Sequence, residues 1–172
     1  MTAQSAGDIN LDRKQQFETL YNSHARELYT YVNSFLLNRA SAEDVMQSLF
    51  VKIFSTPGAP EKSLQKPSYL FAAARNLCLD FLRETRRGVS LRESFTLVES
   101  ITPAQNLEQE ELERQLSSLL AHLPDEQREV IMLKVYGDHT FASIAEITTA
   151  ALATVHKRYQ LGIRKLKAEW KY

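Results

Sequence analysis

Apolar residues recur along this chain at helical spacing, and no segment shows the strict alternation of a half-buried strand. Phe17, Leu20, Tyr21, Leu28, Tyr31, Val32, Phe35 and Leu36 form one apolar stripe and predict a long helix that closes near Asn38 and Arg39. Ser41 has the chemistry of an N-cap, and Glu43 and Asp44 would then occupy a first turn, where the helix dipole favours acids. Val45, Met46, Leu49, Phe50, Ile53 and Phe54 supply the buried face of that second helix, which Pro57-Gly58-Ala59-Pro60 ends. Pro67 suits the first turn of a third helix, whose stripe is Leu70, Ala74, Leu77, Cys78, Phe81 and Leu82.

Periodicity fades after Arg87. It returns at Leu107, Leu112, Leu116, Leu119, Leu120 and Leu123. Pro124 separates that helix from one predicted over Asp125 to Tyr136, which Gly137 terminates. Thr140 is placed to cap a short helix through Ile147, and a last helix runs from about Ala151 to about Trp170. The expected fold is all-α: two small helical bundles over residues 10–87 and 106–172, the second containing a helix-turn-helix. Residues 88–105, with Pro103 near their end, read as a flexible acidic linker that lets the bundles move independently.

Composition narrows the function classes. Apolar residues are 44% and charged residues 24%, which fits packed cores in a soluble protein. No stretch nears the roughly 18 apolar residues of a membrane span. Met1 to Asp12 lacks the charged-then-apolar pattern of an export signal, so a cytoplasmic protein without membrane insertion is expected. Cys78 is the single cysteine, sits in an apolar stripe and reads as a core residue. His24, His122, His139 and His156 lack metal-ligand spacing, and no Gly-rich phosphate loop or nucleophile elbow occurs. Neither an enzymatic activity nor a cofactor is expected.

Net charge is zero, but its distribution is uneven. Glu93 to Glu113 holds six acidic residues and no Lys or Arg. Ala151 to Tyr172 holds six basic residues against Glu169 alone, and Arg83, Arg86, Arg87 and Arg92 cluster mid-chain. Two basic segments around an acidic stretch suit a chain that meets phosphates at two separate places.

A short helix from Thr140 to Ile147, a turn and then a basic helix have the size and order of a DNA-binding helix-turn-helix. Leu152, Val155, Tyr159, Ile163 and Leu166 should pack inward, leaving Thr154, His156, Lys157 and Gln160 on another face. Small and polar residues there can approach base edges, while cations hold phosphates. The plain alternative is a solvated basic face on an ordinary helical hairpin.

Leu123-Pro124-Asp125-Glu126-Gln127-Arg128-Glu129-Val130, followed by Phe141 to Ile147 and Ala153 to Tyr159, resembles the promoter-reading domain 4 of bacterial sigma factors. The resemblance implies −35 promoter contacts from Thr154, His156, Lys157, Arg158 and Gln160. For Arg158 a structural pair that holds the helix is the alternative. Two departures stand out: Thr149 where the family usually has Gly, and Leu161 where it is usually basic.

Ser41 to Phe50 resembles the signature helix of sigma domain 2, which grips a coiled coil of the polymerase. Asp44, Gln47 and Ser48 are the implied polymerase-binding residues, although Ser48 stands where an acid is usual. Tyr69 to Arg83 resembles the helix that melts and reads the −10 element. Tyr69 (often Trp in the family), Arg75, Asn76, Arg83, Arg86 and Arg87 are the implied −10 contacts. Cations on phosphates and flat or amide groups on an unstacked base fit that task. For Asp80 an intrahelical pair with Arg83 is at least as good a reading as contact with DNA.

The resemblance is to the small, two-domain extracytoplasmic-function type of sigma factor. It implies core RNA polymerase and promoter DNA as partners, and an anti-sigma factor wedged between the domains. A helix-turn-helix regulator acting without polymerase is the runner-up, and leaves the Asp44 and Gln47 helix unexplained. A helical adaptor that binds only protein comes third; it predicts no salt-dependent DNA affinity.

Overall fold

The computed structural model describes residues 3–87 and 107–170, all helix and short connections. The first bundle comprises α1 (Ala3–Leu36), α2 (Arg39–Ser55), α3 (Ala59–Gln65) and α4 (Pro67–Arg87). The second comprises α5 (Leu107–His122), α6 (Asp125–Val135), α7 (Phe141–Thr148) and α8 (Leu152–Glu169). The all-α expectation holds. The predicted linker lies outside the described residues.

The periodic stripes become the core. Leu20, Leu28, Tyr31 and Val32 of α1 meet Val45, Leu49 and Ile53 of α2 and Leu70, Ala74 and Cys78 of α4. Phe17 and Tyr21 belong to the same stripe but stay half-exposed, stacking on each other and on the Phe50 ring at the rim. In the second bundle Val130, Ile131 and Leu133 of α6 lie against Ile144 and Ile147 of α7 and Val155 of α8.

The caps decide the boundaries. Asn38, not Ser41, caps α2, its side chain accepting from the Ser41 amide at 2.9 Å. The helix therefore begins earlier than expected, and its first turn holds no acid. Glu43 instead pairs with Arg39 at 3.0 Å. Thr140 caps α7 as expected, accepting from the Ser143 amide. Pro57 to Pro60 do end α2, but they also open the short helix α3, which starts from Gly58 in a left-handed conformation and takes Pro60 in its first turn.

Thr149 ends α7 at φ 54°, ψ 32°. The Ala150 amide reaches back to the Ala145 carbonyl at 3.1 Å, as in a helix end closed by a left-handed residue. A β-branched side chain is costly there, because Cβ crowds the backbone. Thr149→Gly is therefore expected to stabilise the protein by about 1 kcal/mol in urea unfolding. A loss of stability would mean that the bond from the Thr149 hydroxyl to the Thr148 carbonyl outweighs the strain.

The two bundles touch. Helix α1 packs on α6 and α4 packs on α7. The Glu129 carboxylate of α6 accepts from the Tyr31 hydroxyl at 2.9 Å and pairs with Arg75 at 2.7 Å. The Arg128 guanidinium donates to the Ser34 carbonyl at 2.9 Å. The Phe71 and His139 rings meet edge to face, with centroids 4.5 Å apart. At the margin Lys66 pairs with Glu146 at 2.7 Å.

Candidate nucleic-acid and polymerase interfaces

Helix α2 divides cleanly by face. Val45 and Leu49 point into the core, while Asp44, Gln47 and Ser48 are exposed. The neighbourhood of Gln47 is not purely polar. Exposed Val51 lies one turn on, and Phe17, Tyr21 and Phe50 line the cleft between α1 and α2 beside it. A polar edge next to a shallow apolar cleft is the mixed surface that a protein partner can cover. The sequence reading omitted Val51, although its spacing from Gln47 places both on one face.

On α4 the predicted −10 residues separate. Asn76 and Arg83 are exposed, and Arg83 makes the intrahelical pair with Asp80 at 3.0 Å. Tyr69 is half-buried, with the Lys62 ammonium 4.5 Å from its ring centre. Arg86 and Arg87 lie in the last turn of α4, and their side chains fall outside the described residues. Arg75 departs from expectation. Its side chain is 19% exposed and turned onto Glu129 of α6. The physical reason is a buried carboxylate one helix away, which needs a cation.

That carboxylate was not anticipated. Glu129 belongs to the motif that resembles domain 4, and its side chain is 6% exposed and joins both bundles. Burial, and then the nearby Glu129 charge, push the Tyr31 hydroxyl well above its ordinary pKa, so it remains a donor. Burial also pushes the Cys78 thiol up to about 12, consistent with a core role. His139 goes the other way. Burial first, and His24 and Lys134 with it, lower its pKa against the pull of Asp138.

On α8 the division of faces is nearly as expected. Val155 is fully buried, and Tyr159, Ile163 and Leu166 pack against the core. Leu152, expected inside, is 47% exposed at the first position of α8. Gly162 is the crossing point of α8 on α6; a Cβ there would lie 2.6 Å from the Ile131 side chain. Thr154, His156, Lys157 and Gln160 are exposed together, the His156 ring also lying 4.2 Å from that of Phe141. Arg158 makes the structural pair given as its alternative: its guanidinium meets Glu126 of α6 at 2.7 Å and is 22% exposed.

Among the described residues no group of His, Cys, Asp or Glu could hold a metal ion, and no helix is long and apolar enough to cross a membrane.

The chain matches the family models for sigma-70 region 2 over residues 20–88 and sigma-70 region 4 over residues 113–166. It is 30% identical over 152 residues to an ECF RNA polymerase sigma factor, SigL, of Mycobacterium tuberculosis, spanning 86% of this chain and 85% of that one. It is 27% identical over 157 residues to SigK of a Mycobacterium species, covering 88% and 81% of the two chains. The sigma factor RpoE of Bartonella quintana, solved in complex with the anti-sigma factor NepR, has the same fold. Its TM-score is 0.67 at 22% identity, over 91% of this chain and 95% of that one.

Proposed function

We infer the function from the family: the chain belongs to the sigma-70 family, as an extracytoplasmic-function sigma factor carrying regions 2 and 4. It binds core RNA polymerase and directs it to promoters for the initiation of transcription. The observation that carries this is the presence of both regions, in order, on one chain. A helix-turn-helix regulator would need only the second.

The finer assignments follow from exposed chemistry. Residues 10–87 serve as the domain that holds core polymerase and opens the −10 element. Residues 106–172 read the −35 element. Asp44, Gln47 and Ser48 meet the polymerase, with the apolar cleft beside them adding contact area. Tyr69, Asn76, Arg83, Arg86 and Arg87 serve the −10 element, joined by Arg75 once it leaves Glu129. Thr154, His156, Lys157 and Gln160 face −35 DNA, and Arg158 supports that helix from behind. The factor works in the cytoplasm without catalytic chemistry of its own. An anti-sigma factor restrains it; a relative of the same fold was solved with one bound.

Asp44→Ala combined with Gln47→Ala tests the polymerase face. Both side chains are exposed and Asn38 carries the cap, so folding stability should change by no more than about 0.5 kcal/mol. Affinity for core polymerase should fall by about tenfold or more, as for the loss of polar anchors in an interface. Titration of labelled core, with promoter-dependent transcription in parallel, measures both. Unchanged affinity in the folded double variant would remove α2 from the interface, and failure of the parent to support transcription would overturn the function itself.

A further inference from the structure

We propose that Phe141, the first residue of α7, is a positioning residue for DNA: its ring holds the His156 imidazole toward the sugar-phosphate backbone, so that His156 sets register and leaves the bases to other side chains. The proposal rests on the reading of α8 as the −35 helix.

Phe141 follows the Thr140 cap and would pass, by sequence, for one more apolar residue of a short helix. In the structure it is only half-buried, and rings from α8 lie against it. The His156 ring is 4.2 Å away and tilted by 43°, and the Tyr159 ring meets it edge-on at 5.2 Å. The Lys134 ammonium of α6 stands 5.4 Å from the Phe141 ring centre and donates to the His139 carbonyl at 3.1 Å. Phe141 is thus tied to both α6 and α8. Its own backbone is fixed where the Ser143 amide donates to the Thr140 hydroxyl. Val155, the residue before His156, is fully buried, which fixes the backbone from which the imidazole projects.

His156 is exposed all the same. An exposed side chain normally gives up rotamer freedom on binding, and affinity with it. A ring-to-ring contact favours one rotamer by about two- to tenfold before DNA arrives. The direction of that rotamer matters as much as its population. In a helix-turn-helix the first helix crosses the DNA backbone while the second enters the groove. A side chain of α8 that leans on the opening residue of α7 therefore faces the side where the backbone passes. An imidazole N–H there donates to a phosphate oxygen, which positions the protein without reading sequence. Thr154 and Gln160, exposed on the same helix, remain the candidates for base edges.

Phosphate mapping tests this. Holoenzyme reconstituted with the full-length chain first selects duplexes from a random −35 library. Phosphates of a selected duplex are then replaced one at a time by neutral methylphosphonates. Several linkages should weaken binding of the parent, each by about fivefold, the worth of one hydrogen bond. At one of them the loss should vanish in His156→Ala, in Phe141→Leu and in Phe141→Met, and persist in Phe141→Tyr, which keeps the ring. Adding Phe141→Leu to His156→Ala should leave the map of His156→Ala unchanged. The preferred sequence should stay that of the parent in all of them. Circular dichroism and urea unfolding identify the folded variants, and a merely structural defect would weaken every linkage alike instead of erasing one. A parental map in the folded Phe141→Leu or Phe141→Met variant would show that the ring does not position His156. A changed sequence preference in His156→Ala would show that the imidazole reads a base. Either result overturns the proposal while leaving α8 as the reader. Failure of the parent to select any −35 sequence would instead overturn the reading of α8, and the proposal with it.

Discussion

Phe71→Ala is expected to cost about 3–5 kcal/mol of folding stability, the range for removing a fully buried aromatic ring. Phe71 is 2% exposed. Its ring lies 5.7 Å from that of Tyr31 inside the first bundle and 4.5 Å from that of His139 in the second. Alanine would leave a cavity walled on one side by each bundle. Collapse of the site would require the two bundles to approach, and the Glu129 contacts with Tyr31 and Arg75 hold them apart nearby. The loss should therefore sit toward the upper end. Phe71→Leu conserves most of the volume and should cost less than about 1.5 kcal/mol. Urea unfolding of the three proteins measures the series, and a loss under 1 kcal/mol for the alanine variant would mean that the helices close the gap freely. That outcome would also argue against a geometry fixed by the buried ion pair.

The second large effect is expected on DNA. Gln160→Ala should redistribute −35 preference by about 1–3 kcal/mol of discrimination, the worth of a good base-edge contact. Lys157→Ala should behave differently, weakening every sequence alike and lowering the salt slope by about one unit for one lost phosphate contact. The distinction follows from side-chain chemistry: an amide can both donate to and accept from a base, whereas an ammonium finds the nearest phosphate. His156→Ala is less clean, since the ring also packs on Phe141. Arg158→Ala should mainly loosen α8 from α6, because its guanidinium is paired with Glu126. Holoenzyme binding to a promoter library at several salt concentrations separates these outcomes. If Gln160→Ala and Lys157→Ala both bind as the parent does throughout, α8 is not the reading head.

Most of the fold was legible because helices bury one stripe and announce it by spacing. The stripes of α1, α2, α4 and α8 appear in the core with few exceptions. Proline marked the starts of α4 and α6, and Thr140 the start of α7, since each acts through local backbone chemistry that needs no distant partner. The misses share one cause. Periodicity tells which face is apolar but not what covers it. Phe71 stands at helical spacing from Ala74 and Cys78 yet is missing from the stripe assigned to α4, and what covers it, Tyr31 on one side and His139 on the other, comes from distant positions. Leu152 lies on the predicted inner face, yet at the first position of α8 it stays half-exposed. Asn38 and Ser41 carry similar capping chemistry, and the geometry at the end of α1 selects Asn38. Helix α3 was missed because seven residues are too few to show a period.

The candidate site was legible to the same depth. Exposure of Asp44, Gln47, Asn76, Thr154, Lys157 and Gln160 follows from helix geometry alone. The occupation of Arg75 and Arg158 does not, because each is held by a carboxylate on another helix. Arg75 and Glu129 stand 54 positions apart, and no local pattern links them.

That distant pair limits how freely the two halves can be exchanged in evolution. Modular chains diversify by recombination, a new reader joined to an old melting domain. Here a transplanted second half must bring a carboxylate at the position of Glu129, or it leaves Arg75 and the Tyr31 hydroxyl in a partly dry interface with nothing to bond. A successful chimera therefore carries matched partners across the junction, or it replaces Arg75 and Tyr31 with apolar residues and gives up the polar seam. Inheritance of promoter preference and inheritance of that seam are tied, although the residues responsible for each lie on different helices.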